Sequence, residues 1–498
     1  MSVSYQNFQR KTIILLLSNY LLLLLSLVAE NVSPTAANLQ KQNIIVLLFP
    51  DGSGNNYELK SLYDHSLISN PNYSYHVVLH RADYKIWNEK MEQFDNSAFH
   101  FYPFGEQDTL EPLQKKEGKS FYKDVLGPRM ETYIKDFMEF EVISKLKNLH
   151  IKFDLLETDI PSFLSVIVKD TFSINKVIYV SHRPLPQLFF KTFELNPSYY
   201  PYIGSQNGQV LTFTQRCMNF FFYIREKIYF WLNQRKNIQQ LESYGYKTDN
   251  LNDMYIYNSL SLIQYPEGMT FPLSMPPNMI LLNSFNIYDY QSEGAPLKER
   301  QYIYVTKDIY EKNIEVFKSK SQFVFITDIR ALYNKNNKNI KCSIVSSDMR
   351  EISASLFNGI PVIVYGNGMM EKNVQSFIKE HKLGDVINNN INLYESIVQK
   401  KLSDSIYQKN VNKISKILRG NKDARERYTH WLNYGFKHGF DTLVVGLYEK
   451  GNWFNISGMD VFGFIMGIII LVVFLIYYCV SMFLRTCSRK KGNKVKKE

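Results

Sequence analysis

Cysteine is scarce in this sequence, with only four among 498 residues. Cys479 and Cys487 lie within or just after a long apolar segment near the C-terminus, which leaves Cys217 and Cys342 in the body of the chain. Two cysteines cannot build the disulfide framework that holds small secreted domains together. We therefore expect ordinary hydrophobic cores, in which Cys342 is a small buried apolar residue.

The sequence also lacks internal repeats, low-complexity stretches and nucleic-acid-binding motifs. Its formal net charge of +11 does not indicate such a function, because much of the excess lies in a short C-terminal tail. That tail opposes a single acidic residue with seven basic ones, Arg485, Arg489, Lys490, Lys491, Lys494, Lys496 and Lys497. No metal-ligand pattern is present either: His76 and His80 share one side of a predicted strand, with no further ligand beside them, and are expected to be partly exposed.

Two long apolar segments predict the topology. Residues 12–28 follow two basic residues in the pattern of a signal peptide over 1–29, although an uncleaved anchor stays open. Residues 461–484 carry no charge and are long enough to span a bilayer, and the basic tail 485–498 places the C-terminus in the cytosol. The expected protein is single-pass type I with a luminal body, to which Asn31, Asn72 and Asn455 offer glycosylation acceptor triplets.

The clearest motif of the body is a strand, a helix and a second strand between 341 and 373. An apolar run over 342–345 ends at Ser346 and Ser347, which suit the start of a helix. Asn358-Gly359 supplies a helix stop, and 362–365 is a second buried strand. Such a unit is right-handed and parallel, and ligands bind at the carboxyl ends of its strands. The turn at 346–349 is therefore where a nucleotide is expected.

The remaining chain alternates between strand and helix patterns, which is typical of an α/β protein with parallel sheets. Further strands are expected at 43–49, 75–79, 101–103, 177–180, 301–305 and 322–326. Helical periodicity extends over 122–147, and an aromatic-rich helical region covers 213–231.

Several segments resemble the membrane-bound UDP-glucuronosyltransferase and UDP-glycosyltransferase family. Residues 346–373 follow the frame of its signature T-H-G-G, S-x-x-E, G-x-P and D-Q-x-x-N, and 196–202 resembles its P-P-S-Y-V-P segment. Residues 460–464 resemble its D-V-x-G-F motif before the membrane span. The resemblance implies two Rossmann-like domains facing a cleft, the GT-B arrangement, plus one C-terminal transmembrane helix.

The expected domain organisation follows this family pattern. It consists of a signal peptide 1–29, an acceptor-side domain 30–288, a linker 289–298, a shortened donor-side domain 299–420, a C-terminal helix and membrane-proximal segment 421–458, a transmembrane helix 459–484 and a cytosolic tail 485–498. The expected location is the endoplasmic-reticulum membrane, on the evidence of the C-terminal tail. Lys494 and Lys496 resemble a di-lysine retrieval signal, or else form a membrane-facing basic patch.

The resemblance assigns donor-binding positions whose residue types have changed. They are Thr306 and Lys307 in the phosphate loop, Ser346 for the diphosphate-binding His, Ser347 for a glycine, Glu351 for a phosphate-side Ser, Ala354 for the ribose-binding Glu and Asn373 for the final Asn. An acidic side chain repels a phosphate, and alanine offers no acceptor to a ribose hydroxyl. The family's uracil-stacking W-x-P-Q motif has no counterpart between 327 and 341.

The acceptor side shows a similar change. Gly54 stands where the family has its general-base His, and glycine has no side-chain proton acceptor. Asp159 falls on the Asp that orients this His, and its presence is either structural, as the N-cap of the next helix, or historical. The helical region 213–231 is either plain core or, as in the family, a surface for lipophilic acceptors and membrane.

Two functions follow. The first is transfer of a glucuronosyl or glucosyl group from a UDP-sugar to a small lipophilic acceptor with inversion. UDP-sugar is then the donor substrate, and no other cofactor is implied. The second is a catalytically inactive scaffold that acts as a binding module or as a partner subunit, in a homo- or hetero-oligomer of family members.

Overall fold

The computed structural model describes residues 41–50, 59–91, 98–106, 127–160, 162–181, 211–246, 259–264, 277–282, 301–319, 323–333, 339–346, 349–366, 369–388, 390–420, 423–440, 443 and 459–495. The chain divides into two compact units, Met1–Gln42 and Asn43–Glu498. Apart from Gln42, both sheets are built from the second unit. The predicted signal peptide and interdomain linker lie outside the described residues.

Seven parallel strands form the first sheet, in the order β3-β2-β1-β4-β5-β6-β7. Their bounds are β1 Gln42–Leu47, β2 Tyr73–His80, β3 Phe99–Phe104, β4 Leu155–Thr158, β5 Val177–Ser181, β6 Ser259–Gln264 and β7 Met279–Leu282. Successive side chains of β1 alternate between two cores, so that Val46 packs on one face and Leu47 on the other. A strand buried on both faces needs the near-continuous apolar run that the sequence shows.

Described helices cover both faces of the first sheet. They are α1 Leu59–Ser69, α2 Arg81–Met91, α3 Gly127–Glu139, α4 Val142–Lys147, α5 Phe163–Thr171 and α6 Phe213–Ser243. Helices α3, α4 and α5 share one core with the sheet, and α1 belongs to the other. The prediction of one helix over 122–147 was wrong within the part that is described, because Glu141 adopts φ +49° and separates α3 from α4.

Five parallel strands form the second sheet, in the order β12-β11-β10-β8-β9. Their bounds are β8 Tyr302–Val305, β9 Val324–Ile326, β10 Ile340–Val345, β11 Val362–Tyr365 and β12 Gly384–Ile387. The accompanying helices are α7 Lys307–Lys312, α8 Ile314–Lys318, α9 Arg330–Tyr333, α10 Met349–Phe357, α11 Met369–Glu380 and α12 Ser405–Gly420. Short helical turns at Ile391–Leu393, Tyr394–Ser396 and Ile397–Lys401 precede α12.

The predicted strand, helix and strand unit is confirmed as β10, α10 and β11, with β10 and β11 paired in parallel. Gly359 has φ +74° and lies two residues after the end of α10, as the expected stop requires. Cys342 is fully buried in β10, and burial raises the pKa of its thiol to about 12. This residue is therefore a protonated core side chain.

The chain returns to the first sheet after α12. Helix α13, Ala424–His438, buries Ala424, Tyr428 and Leu432 in the same core as α1, at the four-residue spacing of one helix face. Helix α14, Met459–Val495, follows it, and Met466–Phe483 is long and apolar enough to cross a membrane. Its apolar side chains in that stretch are exposed, for example Phe474 and Phe483.

Candidate functional site

The expected nucleotide position lies at the carboxyl ends of β8 and β10. Thr306 directly follows β8, Ser346 directly follows β10, and the two strands are parallel neighbours. The Thr306 N–H donates to the carbonyl of Ile344 at 3.0 Å, which fixes the two strand ends side by side. Glu351 lies in the first turn of α10, the helix that leaves the same edge. The structure therefore brings part of the predicted donor positions together.

Glu351 is held by hydroxyl groups of β8 and of the turn after it. Its Oε1 accepts a hydrogen bond from the Tyr304 hydroxyl at 2.7 Å, and its Oε2 accepts one from the Thr306 hydroxyl. The residue is only 7% exposed. A phosphate placed here would meet a carboxylate of like charge, and the Thr306 hydroxyl already donates a hydrogen bond to that carboxylate.

The other predicted donor residues add little to this edge. The Lys307 side chain is 73% exposed, and its Nζ lies 3.9 Å from Glu311 Oε1, a weak surface pair on one helix. Ala354 is fully buried in the core of the second sheet, so its position faces apolar neighbours. Ser347 and the side chain of Asn373 lie outside the described residues.

Asp159 ties two strand ends of the first sheet together. It directly follows β4, and its Oδ1 accepts the N–H of Phe49 at 2.8 Å, just beyond the end of β1. The interpretation of Asp159 as a helix N-cap was wrong, because the Ser162 side chain caps α5. Serine suits this position since its hydroxyl accepts the backbone N–H of Ser165. Gly54, the base position, lies outside the described residues.

A buried histidine pair at this edge was missed from the sequence. His76 and His80 are each 1% exposed, so the prediction of partly exposed positions was wrong. His80 Nδ1 accepts the N–H of Ala82 at 3.2 Å, which leaves the proton of the neutral ring on Nε2, 3.4 Å from Asp136 Oδ2. Burial lowers the pKa of His80, against the opposing effect of Asp136. With both ring nitrogens engaged, His80 does not replace the missing base.

The space for this ring comes from a glycine. Gly105 follows β3 with φ +89°, and a Cβ atom there would lie 2.3 Å from His80 Nε2. A histidine at the end of a buried strand and a glycine after its neighbour are visible in the sequence. Their contact and the contact with Asp136 depend on the sheet order, which a single sequence does not give.

A second buried polar cluster lies on the opposite face of the first sheet. Glu157 of β4 accepts hydrogen bonds from the Tyr63 hydroxyl at 2.5 Å and from the Tyr428 hydroxyl at 2.7 Å. The Tyr75 hydroxyl lies 2.5 Å from Ser66 Oγ and 3.5 Å from the Tyr428 hydroxyl. Burial raises the pKa of Glu157 to about 7, although both tyrosine hydrogen bonds act to lower it.

Helix α6 is neither wholly core nor wholly surface. Tyr223 and Phe230 are buried, whereas Phe221 is 65% exposed and Trp231 is 50% exposed. The guanidinium carbon of Arg235 lies 4.1 Å from the Trp231 ring centroid, a favourable cation–π contact. The exposed aromatic side agrees with a surface for apolar ligands or membrane, and the buried side supports the fold.

The parts of the chain that are described contain no group of three or more histidine, cysteine or carboxylate side chains able to hold a metal ion. Asn72 is half-buried at the turn before β2, and its N–H donates to Asn70 Oδ1 at 3.1 Å. The other glycosylation candidates, Asn31 and Asn455, lie outside the described residues.

The chain is similar in sequence to a known protein family. A family model described as UDP-glucoronosyl and UDP-glucosyl transferase matches residues 340–494. UDP-glucuronosyltransferase 1A8 of Rattus norvegicus is 21% identical over 464 residues, which are 81% of this chain and 82% of the relative. UDP-glucuronosyltransferase 1A6 of Mus musculus is 22% identical over 443 residues, 80% of each chain.

Two solved structures share the fold. The glycosyltransferase of kitacinnamycin matches with a TM-score of 0.55 at 10% identity, over 80% of this chain and 100% of that one. UDP-glucose:anthocyanidin 3-O-glucosyltransferase in complex with UDP matches with a TM-score of 0.50 at 10% identity, over 80% of this chain and 99% of that one. At such low identity the likeness shows the fold alone, the GT-B arrangement of two α/β sheets.

Proposed function

Because this chain belongs to the UDP-glycosyltransferase family, as a distant relative of the 1A UDP-glucuronosyltransferases, we propose that it is a membrane-anchored family member whose donor site no longer binds UDP-sugar. In this proposal it is a catalytically inactive scaffold, a binding module or a partner subunit in a homo- or hetero-oligomer of family members. The protein is a single-pass type I protein of the endoplasmic-reticulum membrane with a luminal body, anchored by α14.

The observation that carries this proposal is the hydrogen bonding of Glu351. Its carboxylate accepts hydrogen bonds from the hydroxyls of Tyr304 and Thr306 at the strand edge where the resemblance implies the diphosphate. The nearby Lys307 lies in solvent beside Glu311 and does not balance that charge. An inverting transferase must stabilise the leaving diphosphate with positive or hydrogen-bonding groups, and Glu351 works against both.

The acceptor side supports the same proposal. Gly54 supplies no base, and loss of a general base costs about 10²–10⁴-fold in rate. Asp159 is engaged by the backbone of Phe49, so a structural role accounts for this carboxylate. The fold, the return of α13 to the first sheet and the membrane helix are all kept. The changes that bear on activity lie at the positions that the resemblance assigns to chemistry.

A second candidate is an active transferase for small lipophilic acceptors. It is favoured by the relationship to the rat 1A8 glucuronosyltransferase over 81% of the chain and by the exposed aromatic side of α6. In this case Asp159 is the one member of the family's catalytic pair that is present, and the base comes from another group. This candidate predicts acceptor-dependent turnover of UDP-sugar, whereas the inactive scaffold predicts none.

The deciding experiment is a transfer assay with the full-length protein in detergent. UDP-glucuronic acid and UDP-glucose are offered with a panel of phenolic and other lipophilic acceptors, and released UDP is measured. We expect no acceptor-dependent release. The matched control is Asp159→Asn, whose Oδ1 can still accept the Phe49 N–H. Acceptor-dependent release that disappears in this variant would establish the transferase instead.

A further inference from the structure

The first sheet contains a buried carboxylate, that of Glu157. Glu157 lies opposite Val46 of β1 and Ile178 of β5, and it is 1% exposed. Within the described part of the chain, it forms no ion pair with a basic side chain. Each of its two oxygens accepts one hydrogen bond, from the hydroxyl of Tyr63 in α1 and from that of Tyr428 in α13.

The surrounding hydroxyls can satisfy this carboxyl group in both protonation states. When it is charged, both tyrosine hydroxyls donate to it. When it is neutral, its O–H can donate to the Tyr428 hydroxyl. The Tyr428 hydroxyl then donates to the Tyr75 hydroxyl, which in turn donates to Ser66 Oγ, and these hydroxyls form a hydrogen-bond relay. The relay ends at a fixed acceptor, because Ser66 Oγ donates to the Tyr63 carbonyl at 2.7 Å. Hydroxyl rotation therefore leaves no buried donor without an acceptor.

We propose that Glu157 and the tyrosines around it form a buried proton switch that sets how firmly α13 is held on the first sheet. One arm of the relay, Tyr428, belongs to α13, and the other members belong to the sheet and α1. Opening of α13 exposes the carboxyl group to water. The two states of Glu157 therefore differ in the free energy of that opening.

The direction in which the stability of the closed state changes with pH follows from the groups that face Glu157. These are the hydroxyls of Tyr63, Tyr75 and Tyr428, all of which stay neutral because burial raises their pKa values. Burial also raises the pKa of Glu157 from 4.5 to about 7, so the closed state binds a proton between these values and the open state does not. Stability of the closed state is therefore greatest below pH 4.5 and is lost as pH rises to 7.

The switch loosens α13 without detaching it. Other contacts hold the helix in both states. Among them, Lys176 Nζ donates to the Phe436 carbonyl at 2.9 Å, Arg427 donates to the Leu281 carbonyl at 2.7 Å, and the Tyr73 hydroxyl donates to Asn433. Helix α13 lies between the second sheet and the membrane helix in the chain. Its local stability therefore affects how firmly those two parts are joined to the first sheet.

The test is hydrogen exchange of the full-length protein in detergent at pH 5, 6, 7 and 8, read by mass spectrometry in peptides covering 424–438. After correction for the intrinsic rate, protection of these peptides falls about tenfold per pH unit between pH 5 and 7, roughly a hundredfold in total, and is level above pH 7. Peptides from α5, on the opposite face of the sheet, serve as the internal reference.

Glu157→Gln is the matched variant, because an amide resembles the protonated carboxyl group and does not titrate. Its protection stays level from pH 5 to 8. His80 titrates in the opposite sense, and since it is unchanged in this variant, the difference from the wild type isolates Glu157. Equal pH profiles in the two proteins overturn the proposal.

Tyr428→Phe is a second, independent variant. It removes one hydrogen bond that favours the charged form, so the fall in protection shifts to higher pH and continues beyond pH 7. An unshifted profile in a folded Tyr428→Phe protein contradicts the role of the relay.

Discussion

At the scale of single residues, three carboxylates are buried at the sites described above. Glu157, Asp159 and Glu351 are each less than a tenth exposed, and each accepts hydrogen bonds from hydroxyl or backbone N–H groups. Burying a charged group is costly unless such partners are present. The partners therefore explain how these acids are accommodated.

The contribution of Glu351 can be measured by removing its side chain. Glu351→Ala leaves the hydroxyls of Tyr304 and Thr306 without this acceptor, and we expect a loss of about 1–3 kcal/mol in stability. Glu311→Ala is the matched control, because Glu311 is 61% exposed on the neighbouring helix α7. Thermal denaturation of both variants in detergent gives the comparison. Equal stability of the two would mean that the Glu351 contacts are not formed.

Two glycines provide a test of the His80 site. Gly105 and Gly245 have similar φ values of +89° and +83°, but only the first has neighbours within 4 Å of an added Cβ. Gly245→Ala should cost about 1–2 kcal/mol through backbone strain alone. Gly105→Ala should cost about 1–3 kcal/mol more, since His80 must move from Asp136 and Ala82. A similar melting temperature for the two variants would contradict the packing described for His80.

At the scale of elements, the sequence predicts what is local and misses what is not. The unit β10, α10 and β11 could be predicted because apolar runs, a helix start and Asn358-Gly359 lie within a few residues of each other. The pairs His80–Asp136 and Glu157–Tyr428 could not be predicted, because the sheet order and the return of α13 bring them together. The same limit applies to the contact of Asp159 with Phe49.

The divided character of α6 gives a prediction at this scale. Phe230 is 8% exposed and belongs to a core of the first sheet, whereas Phe221 is 65% exposed on the same helix. Phe230→Ala should cost about 3–5 kcal/mol, and Phe221→Ala should change stability by less than about 0.5 kcal/mol. The midpoint of denaturant unfolding compares them. A large loss in Phe221→Ala would show that the whole helix is core.

At the scale of the whole molecule, two α/β sheets are followed by a long apolar helix. The two sheets agree with the GT-B arrangement of the solved structures, helix α13 returns to the first sheet, and Met466–Phe483 is long and apolar enough to cross a membrane. That the donor-site residue types are unsuited to phosphate stays a prediction from the sequence, based on the charge of Glu351. That the Thr306 hydroxyl binds Glu351 could be seen only in three dimensions.

The most direct test of this account is calorimetric titration of the full-length protein with UDP. We predict no binding at millimolar UDP, because the Glu351 carboxylate lies at the edge where the diphosphate is expected and already engages the Thr306 hydroxyl there. A dissociation constant in the micromolar range would contradict the account, since it would mean that other residues have rebuilt the donor site.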